Sequence, residues 1–206
     1  MEKSSNKITD VRYLTKLALF VAIIILMAFT PIGYIPTPFM KVTLITIPVA
    51  VGAIVLGPLG GAICGCVFGL TSLYTAFTAP SVMTAAFMTA SPLGLVILCL
   101  VPRILEGWLC GLIFLGLKKA LKKNPLKYYI AGFSCPVLNT ILFMSTLVII
   151  FYNTDYVADL NETFGTSNPF TFVVAMVGIQ AVFEAVCCGV VSGIVSHAIG
   201  KFVAKR

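Results

Sequence analysis

The chain alternates between long apolar runs and short stretches rich in Pro, Gly, Ser, Thr, Asn or charge. Six apolar runs can be marked, at about 12–31, 42–56, 59–77, 92–120, 126–152 and 170–200. The first closes on Pro31-Ile32-Gly33, and Gly57-Pro58 separates the second from the third. An apolar helix of about 20 residues crosses the ~30 Å hydrocarbon core of a bilayer. In lipid a spanning helix satisfies all its backbone N–H and C=O groups internally. The pattern therefore predicts an all-α integral membrane protein, a single six-helix domain over residues 1–206. The chain leaves no room for a separate soluble domain.

Composition agrees with the pattern. Of 206 residues, 59% are hydrophobic and 10% charged, well under the roughly 25% charged residues of soluble domains. Mean hydropathy is +1.06. The net charge of +7 raises the question of nucleic acid, but its distribution argues against that. Lys3, Lys7, Arg12 and Lys16 precede the first run. Lys118, Lys119, Lys122, Lys123 and Lys127 lie between the fourth and fifth, and Lys201, Lys205 and Arg206 follow the sixth. With six spans these clusters fall on one side, which the positive-inside rule makes cytoplasmic, with both termini. The opposite side receives the loops 32–41, 78–91 and 153–169, the last carrying Asp155, Asp159 and Glu162 with no basic residue. Short connections inside and longer ones outside place the expected functional surface outward. The first run is too long for a signal peptide and lacks a small-residue cleavage site after it, so none is expected.

Small residues recur every fourth position: Gly57, Gly61, Gly65 and Gly69, then Gly107 and Gly111, then Gly189 and Gly193. Such stripes let helix backbones approach closely in lipid, and internal packing is their ordinary use. Ala18 and Ala22 form an A-x-x-x-A pair on a bulky first run. That pair either packs inside the protein or marks a surface for another membrane subunit. Cys64, Cys66, Cys99, Cys110, Cys135, Cys187 and Cys188 all lie in apolar runs with no C-x-x-C spacing, which reads as inert buried thiols.

No catalytic apparatus is visible. His197 is the single histidine, which leaves a histidine-based triad or metal site unsupported. Nothing resembles a phosphate loop, since Gly111-Leu-Ile-Phe-Leu-Gly116-Leu117 lacks the lysine. No cofactor or metal is expected, and any ATP hydrolysis would belong to other subunits.

Between Lys41 and Lys118 the only charges are Arg103 and Glu106. An arginine in mid-membrane costs roughly 2.5–3.5 kcal/mol on insertion scales, so it needs a partner. Glu106, three residues on, could pair with it; a bound anion could do so instead. Thr71, Ser72 and Tyr74 lie near the outer end of the third run, Asn139 and Thr140 on the fifth, and Gln180 and Glu184 four apart on the sixth. At 1.5 Å per residue, Arg103, Asn139 and Gln180 reach a common depth roughly 16 Å from the outer ends. Thr71 and Ser72 could alternatively bond their own helix, and Asn139 and Gln180 could simply tie helices together. Pro102 also removes an N–H and frees a carbonyl on the fourth run. A guanidinium with spare donors suits a planar carboxylate or phosphate.

The block from Lys41 through Ile47-Pro48-Val49, Gly52-Ala53-Ile54 and Leu56-Gly57-Pro58 to Phe68-Gly69-Leu70-Thr71-Ser72 resembles the substrate-binding S components of energy-coupling factor (ECF) vitamin transporters. The segments Pro102-Arg103-Ile104-Leu105-Glu106-Gly107 and Asn139-Thr140-Ile-Leu are similar to the pantothenate-type branch, and Ala18-x-x-x-Ala22 matches the family's first-helix motif. The resemblance implies a six-helix bundle binding one water-soluble vitamin beneath its outer loops. It implies a non-enzymatic transport subunit that topples in the membrane, working with a transmembrane coupling subunit and two cytoplasmic ATPases. By position it makes Arg103 and Asn139 ligands, Arg103 for a carboxylate, and makes Ala18 and Ala22 the docking pair. Thr46 stands where many relatives are expected to carry His, which loosens the choice of vitamin. Pantothenate leads. Riboflavin follows, from the Ile35-Pro36-Thr37-Pro38-Phe39 loop, and cobalamin or a pyridoxine-like vitamin stays open. A lipid-modifying membrane enzyme and a stand-alone channel or carrier are the readings from other classes.

Overall fold

A computed structural model describes residues 11–36, 41–122, 124–166 and 168–204. Lys3, Lys7, Lys123, Lys205, Arg206 and the Thr37-Pro38-Phe39 part of the first loop lie outside the described residues. Helix α1 is Val11–Ala28, and strands β1 (Tyr34–Pro36) and β2 (Lys41–Thr43) follow. Next come α2 (Thr46–Leu56), α3 (Pro58–Thr78), α4 (Val82–Ala90), α5 (Pro92–Leu121), α6 (Leu126–Phe151), α7 (Asp155–Phe164) and α8 (Pro169–Ala204). The protein is helical throughout apart from the antiparallel β1–β2 ribbon, in which Tyr34 faces Thr43. Among the described residues, five helical stretches are long and apolar enough to cross a membrane: α1, α3, α5, α6 and Gln180–Lys201 of α8.

The second predicted span is shorter than its apolar run. Residues 41–43 belong to β2, and α2 has 11 residues, about 16 Å of rise. It is buried almost all round, from Thr46 through Pro48–Ile54, because α1, α3, α5, α6 and α8 surround it. Helices apolar on every face end up in such central positions. Gly57, at φ +86°, stops α2 where a side chain would be strained, and Pro58 opens α3 at once.

The glycine stripe has the packing role. A Cβ on Gly61 would collide with the Gly107 carbonyl, one on Gly65 with the Arg103 carbonyl, and one on Gly69 with the Cys99 carbonyl. The register advances four residues on α3 as it retreats four on α5, an antiparallel seam of backbone on backbone. Gly189 and Gly193 on α8 play the same part against Phe133 and Tyr129 of α6. Apolar attraction between helices vanishes in lipid, so this close van der Waals contact is the main cohesive term.

Two of the long predicted loops contain helices. Ser81 caps α4, its Oγ accepting from the Thr84 N–H, and α7 ends on Gly165 in the left-handed conformation. Both sit with the ribbon at one end of the bundle. Of the described basic residues, Arg12, Lys16, Lys118, Lys119, Lys122, Lys127 and Lys201 lie at helix ends on the opposite side, Lys41 stands in the ribbon and Arg103 within α5.

Candidate functional site

At the ribbon end the helices separate around a cavity of about 420 Å³. Its apolar wall comes from Phe87 of α4, Leu95 and Leu98 of α5, Met144 of α6, and Met176 and Val177 of α8, all buried. Phe87 stacks on Phe151 with centroids 4.1 Å apart and meets Tyr156 of α7 edge-on at 5.8 Å, which holds α4 and α7 over the cavity. The polar lining includes Tyr34, Thr43, Ser72, Arg103, Asn139, Thr140, Gln180 and Glu184, with Thr75, Ser81, Thr84 and Tyr156 toward the α4 and α7 side.

Arg103 is positioned from three directions. Its carbonyl is pressed against Gly65 in the α3–α5 seam. Pro102 has no N–H to give the Leu98 carbonyl, and Arg103 Nη1 donates to that carbonyl instead. The guanidinium face lies 4.6 Å from the Phe143 ring centroid and 5.5 Å from that of Phe68, attractive cation–π contacts. Its Nε is buried without a partner. The side chain is thus fixed by backbone, carbonyl and rings while retaining donors for an incoming acceptor.

Glu106 does not pair with it. Its side chain is fully buried beneath the cavity rather than lining it, and neither oxygen has a hydrogen-bond partner. On the cavity wall, Glu184 Oε2 accepts from the Thr43 N–H at 3.2 Å, fastening β2 to α8, while its Oε1 is buried without a partner. Asn139 is 9% exposed, with its amide against Glu184 and its Oδ1 unpartnered. The Tyr34 hydroxyl lies 3.5 Å from Ser72 Oγ. Either hydroxyl can donate to the other, so Tyr34 offers both a donor and an acceptor at the cavity wall.

Of the residues singled out in the sequence, Ser72, Arg103, Asn139, Gln180 and Glu184 converge on this cavity. Thr71 and Tyr74 do not. Thr71 is buried and donates to the Phe68 carbonyl of its own helix at 2.8 Å. Tyr74 is 56% exposed and packs edge-on against Phe29. Depth along a helix gives height, and each residue turns the helix by about 100°, so neighbours of Ser72 point elsewhere. Sequence reasoning missed Tyr34 and Thr43, which the ribbon delivers. Ala18 and Ala22 are both exposed on α1, outside the bundle packing. All seven cysteines are free thiols. The described residues contain no group of His, Cys, Asp or Glu able to hold a metal ion.

A half-open cavity with one fixed guanidinium, set in apolar helices, defines a membrane protein that binds a small polar solute. The sequence profile of the "ECF transporter, substrate-specific component" family matches residues 12–196. The chain belongs to that family and is a multi-pass protein of the cell membrane. Among curated proteins it is 34% identical over 165 residues to the pantothenic acid transporter PanT of Lactococcus lactis, covering 75% of this chain and 79% of that one. It is 35% identical over 116 residues to the pantothenate transporter PanT of Leuconostoc mesenteroides, covering 54% and 53%.

Proposed function

We propose that this chain is the pantothenate-binding subunit of an ECF importer, and that Arg103 holds the vitamin's carboxylate. The observation that carries the reading is the guanidinium, fixed yet with donors to spare, on the wall of a cavity whose size suits a small ligand. A carboxylate is the natural acceptor for that planar donor set. Asn139, Gln180, Glu184, Ser72 and the ribbon residues Tyr34 and Thr43 are within the same lining and supply groups for an amide and two hydroxyls. The buried apolar wall accommodates the ligand's geminal methyls. The names of the two relatives point the same way.

The arrangement in the membrane is six passes, with α2 and the ribbon together making the short second one. Both termini are cytoplasmic. The basic helix ends support that sidedness through the positive-inside rule, and the cavity then opens outward. Release inside requires a transmembrane coupling subunit and two separate ATPases. The exposed Ala18–Ala22 face of α1 is the docking surface, because small residues let a partner helix approach closely.

Calorimetry on the purified chain in detergent tests the ligand. Sub-micromolar pantothenate binding is expected. A yellow protein releasing riboflavin on denaturation would overturn pantothenate while keeping the subunit class. Docking is tested by Ala18→Leu with Ala22→Leu, which should abolish co-purification with the coupling subunit and leave vitamin binding intact. Loss of both would make that face part of the fold.

A further inference from the structure

The charges at the base of the cavity do not balance once an anion arrives. Arg103 contributes one positive charge. Glu184 and Glu106 lie within its electrostatic reach and within that of one another. Glu106 is fully buried with both oxygens unpartnered. An ionised carboxylate in such surroundings costs far more than a neutral one, so Glu106 is carried as the acid and contributes no charge. Glu184 differs. It is buried too, but it lines the cavity, one oxygen accepts the Thr43 N–H, and the Asn139 amide lies against it, contacts that favour the ionised form against the cost of burial. The empty site therefore holds one cation and one anion. A ligand carboxylate on Arg103 makes the sum negative, in a low-dielectric setting beside a Glu184 oxygen that is buried and unpartnered.

We propose that Glu184 takes up one proton as the ligand's carboxylate binds Arg103, so that the site accepts an anion together with a proton. The proposal rests on the anion-binding reading above. The balance is simple: solvent supplies the proton to Glu184 Oε1, which turns from acceptor to donor, while Oε2 keeps the Thr43 N–H. Arg103 and Glu106 of α5 and Cys188 of its own helix lie within electrostatic reach of Glu184; Tyr34 of β1, Cys99 of α5 and Tyr156 of α7 share its cavity lining, and Cys110 of α5 and Cys135 of α6 lie around Glu106 and Cys188. The hydroxyl of Thr46 of α2, which donates to Cys188 Sγ at 3.2 Å, does not titrate. Glu184 is the carboxylate that lines the cavity with the guanidinium and keeps one oxygen without a partner, which makes it the group free to change.

The sign follows from linkage. The proton is held more tightly in the complex than in the empty site. Between the two titrations of Glu184, affinity falls as pH rises, by up to about tenfold per pH unit. Below that window the empty site is already protonated, and above it neither form is, so affinity levels off at both ends.

Calorimetric titration of the full chain with pantothenate, at one pH inside the window and in buffers of different ionisation enthalpy, counts the protons. About one proton taken up per ligand is expected. The neutral alcohol analogue, with CH2OH in place of the carboxyl group, should take up close to none. Glu184→Gln should remove both the buffer dependence and the pH slope, whatever its affinity, and Glu106→Gln should keep them. Tight pantothenate binding without buffer dependence overturns the proton uptake and leaves the ligand assignment standing. Uptake that survives Glu184→Gln but is lost in Glu106→Gln overturns the choice of residue. Absence of any pantothenate heat overturns both.

Discussion

The α3–α5 pair contains two opposite solutions side by side. On one side Gly61, Gly65 and Gly69 bring backbone onto backbone at Gly107, Arg103 and Cys99, and no side chain fits between. On the other side the same two helices contribute Ser72, Leu98 and Arg103 to a cavity. Arg103 belongs to both regions, carbonyl in the seam and guanidinium at the cavity. The seam gives rigidity and carries no chemical selectivity. The cavity is selective and depends on the seam to hold its cation in place.

The comparison is broken most severely by Gly65→Leu. The new side chain would run into the Arg103 carbonyl and the Ile104 Cα, backbone that cannot swing aside, so overpacking should cost on the order of 3 kcal/mol. Thermal denaturation in detergent should show a clearly lowered midpoint, with pantothenate binding lost as well. Arg103→Ala should separate the two regions. It leaves the seam carbonyl in place and removes the charge-assisted bonds, so affinity should drop about 100-fold while the midpoint moves little. An equal loss of thermal stability would make the arginine structural. The smallest effects belong to Thr71→Val and Tyr74→Ala, adjacent in sequence to Ser72 yet off the cavity. Each should change affinity by less than about twofold. A tenfold loss in either would show that the ligand reaches beyond the cavity described.

Much of this was legible in the sequence, for identifiable reasons. The apolar runs located the helices because lipid allows no other irregularity. A mid-membrane arginine announced itself by cost alone, and Pro102 announced the free carbonyl that Arg103 Nη1 occupies. The depth count brought Arg103, Asn139 and Gln180 together correctly. Thr71 and Tyr74 were placed only by their position near the outer end of the third run, and they turn away from the cavity because azimuth, unlike position along the helix, needs the partner helices. The possible Arg103–Glu106 ion pair failed for a different reason. Spacing of three permits contact on a helix surface, but here the side chains diverge, one to the cavity and one beneath it. Helices α4 and α7 hid in segments read as loops. Ser81 ahead of Thr84 and the Gly165 stop were the available signals, both short-range and easily overshadowed by six long apolar runs. The ribbon was not legible, since the pairing of Tyr34 with Thr43 depends on what lies beneath it.

The brevity of α2 has a spatial consequence. With 11 residues it rises about 16 Å, little more than half the hydrocarbon thickness. The column above it would be solid in a bundle of full-length helices. Here that column is left to the ribbon and to Thr43 and Tyr34 on the cavity wall. The binding volume thus arises by truncating one central helix, with the outer ones still able to pack at glycine distance. Lengthening α2 by two turns would fill the same space with protein, and the bundle would become a plug.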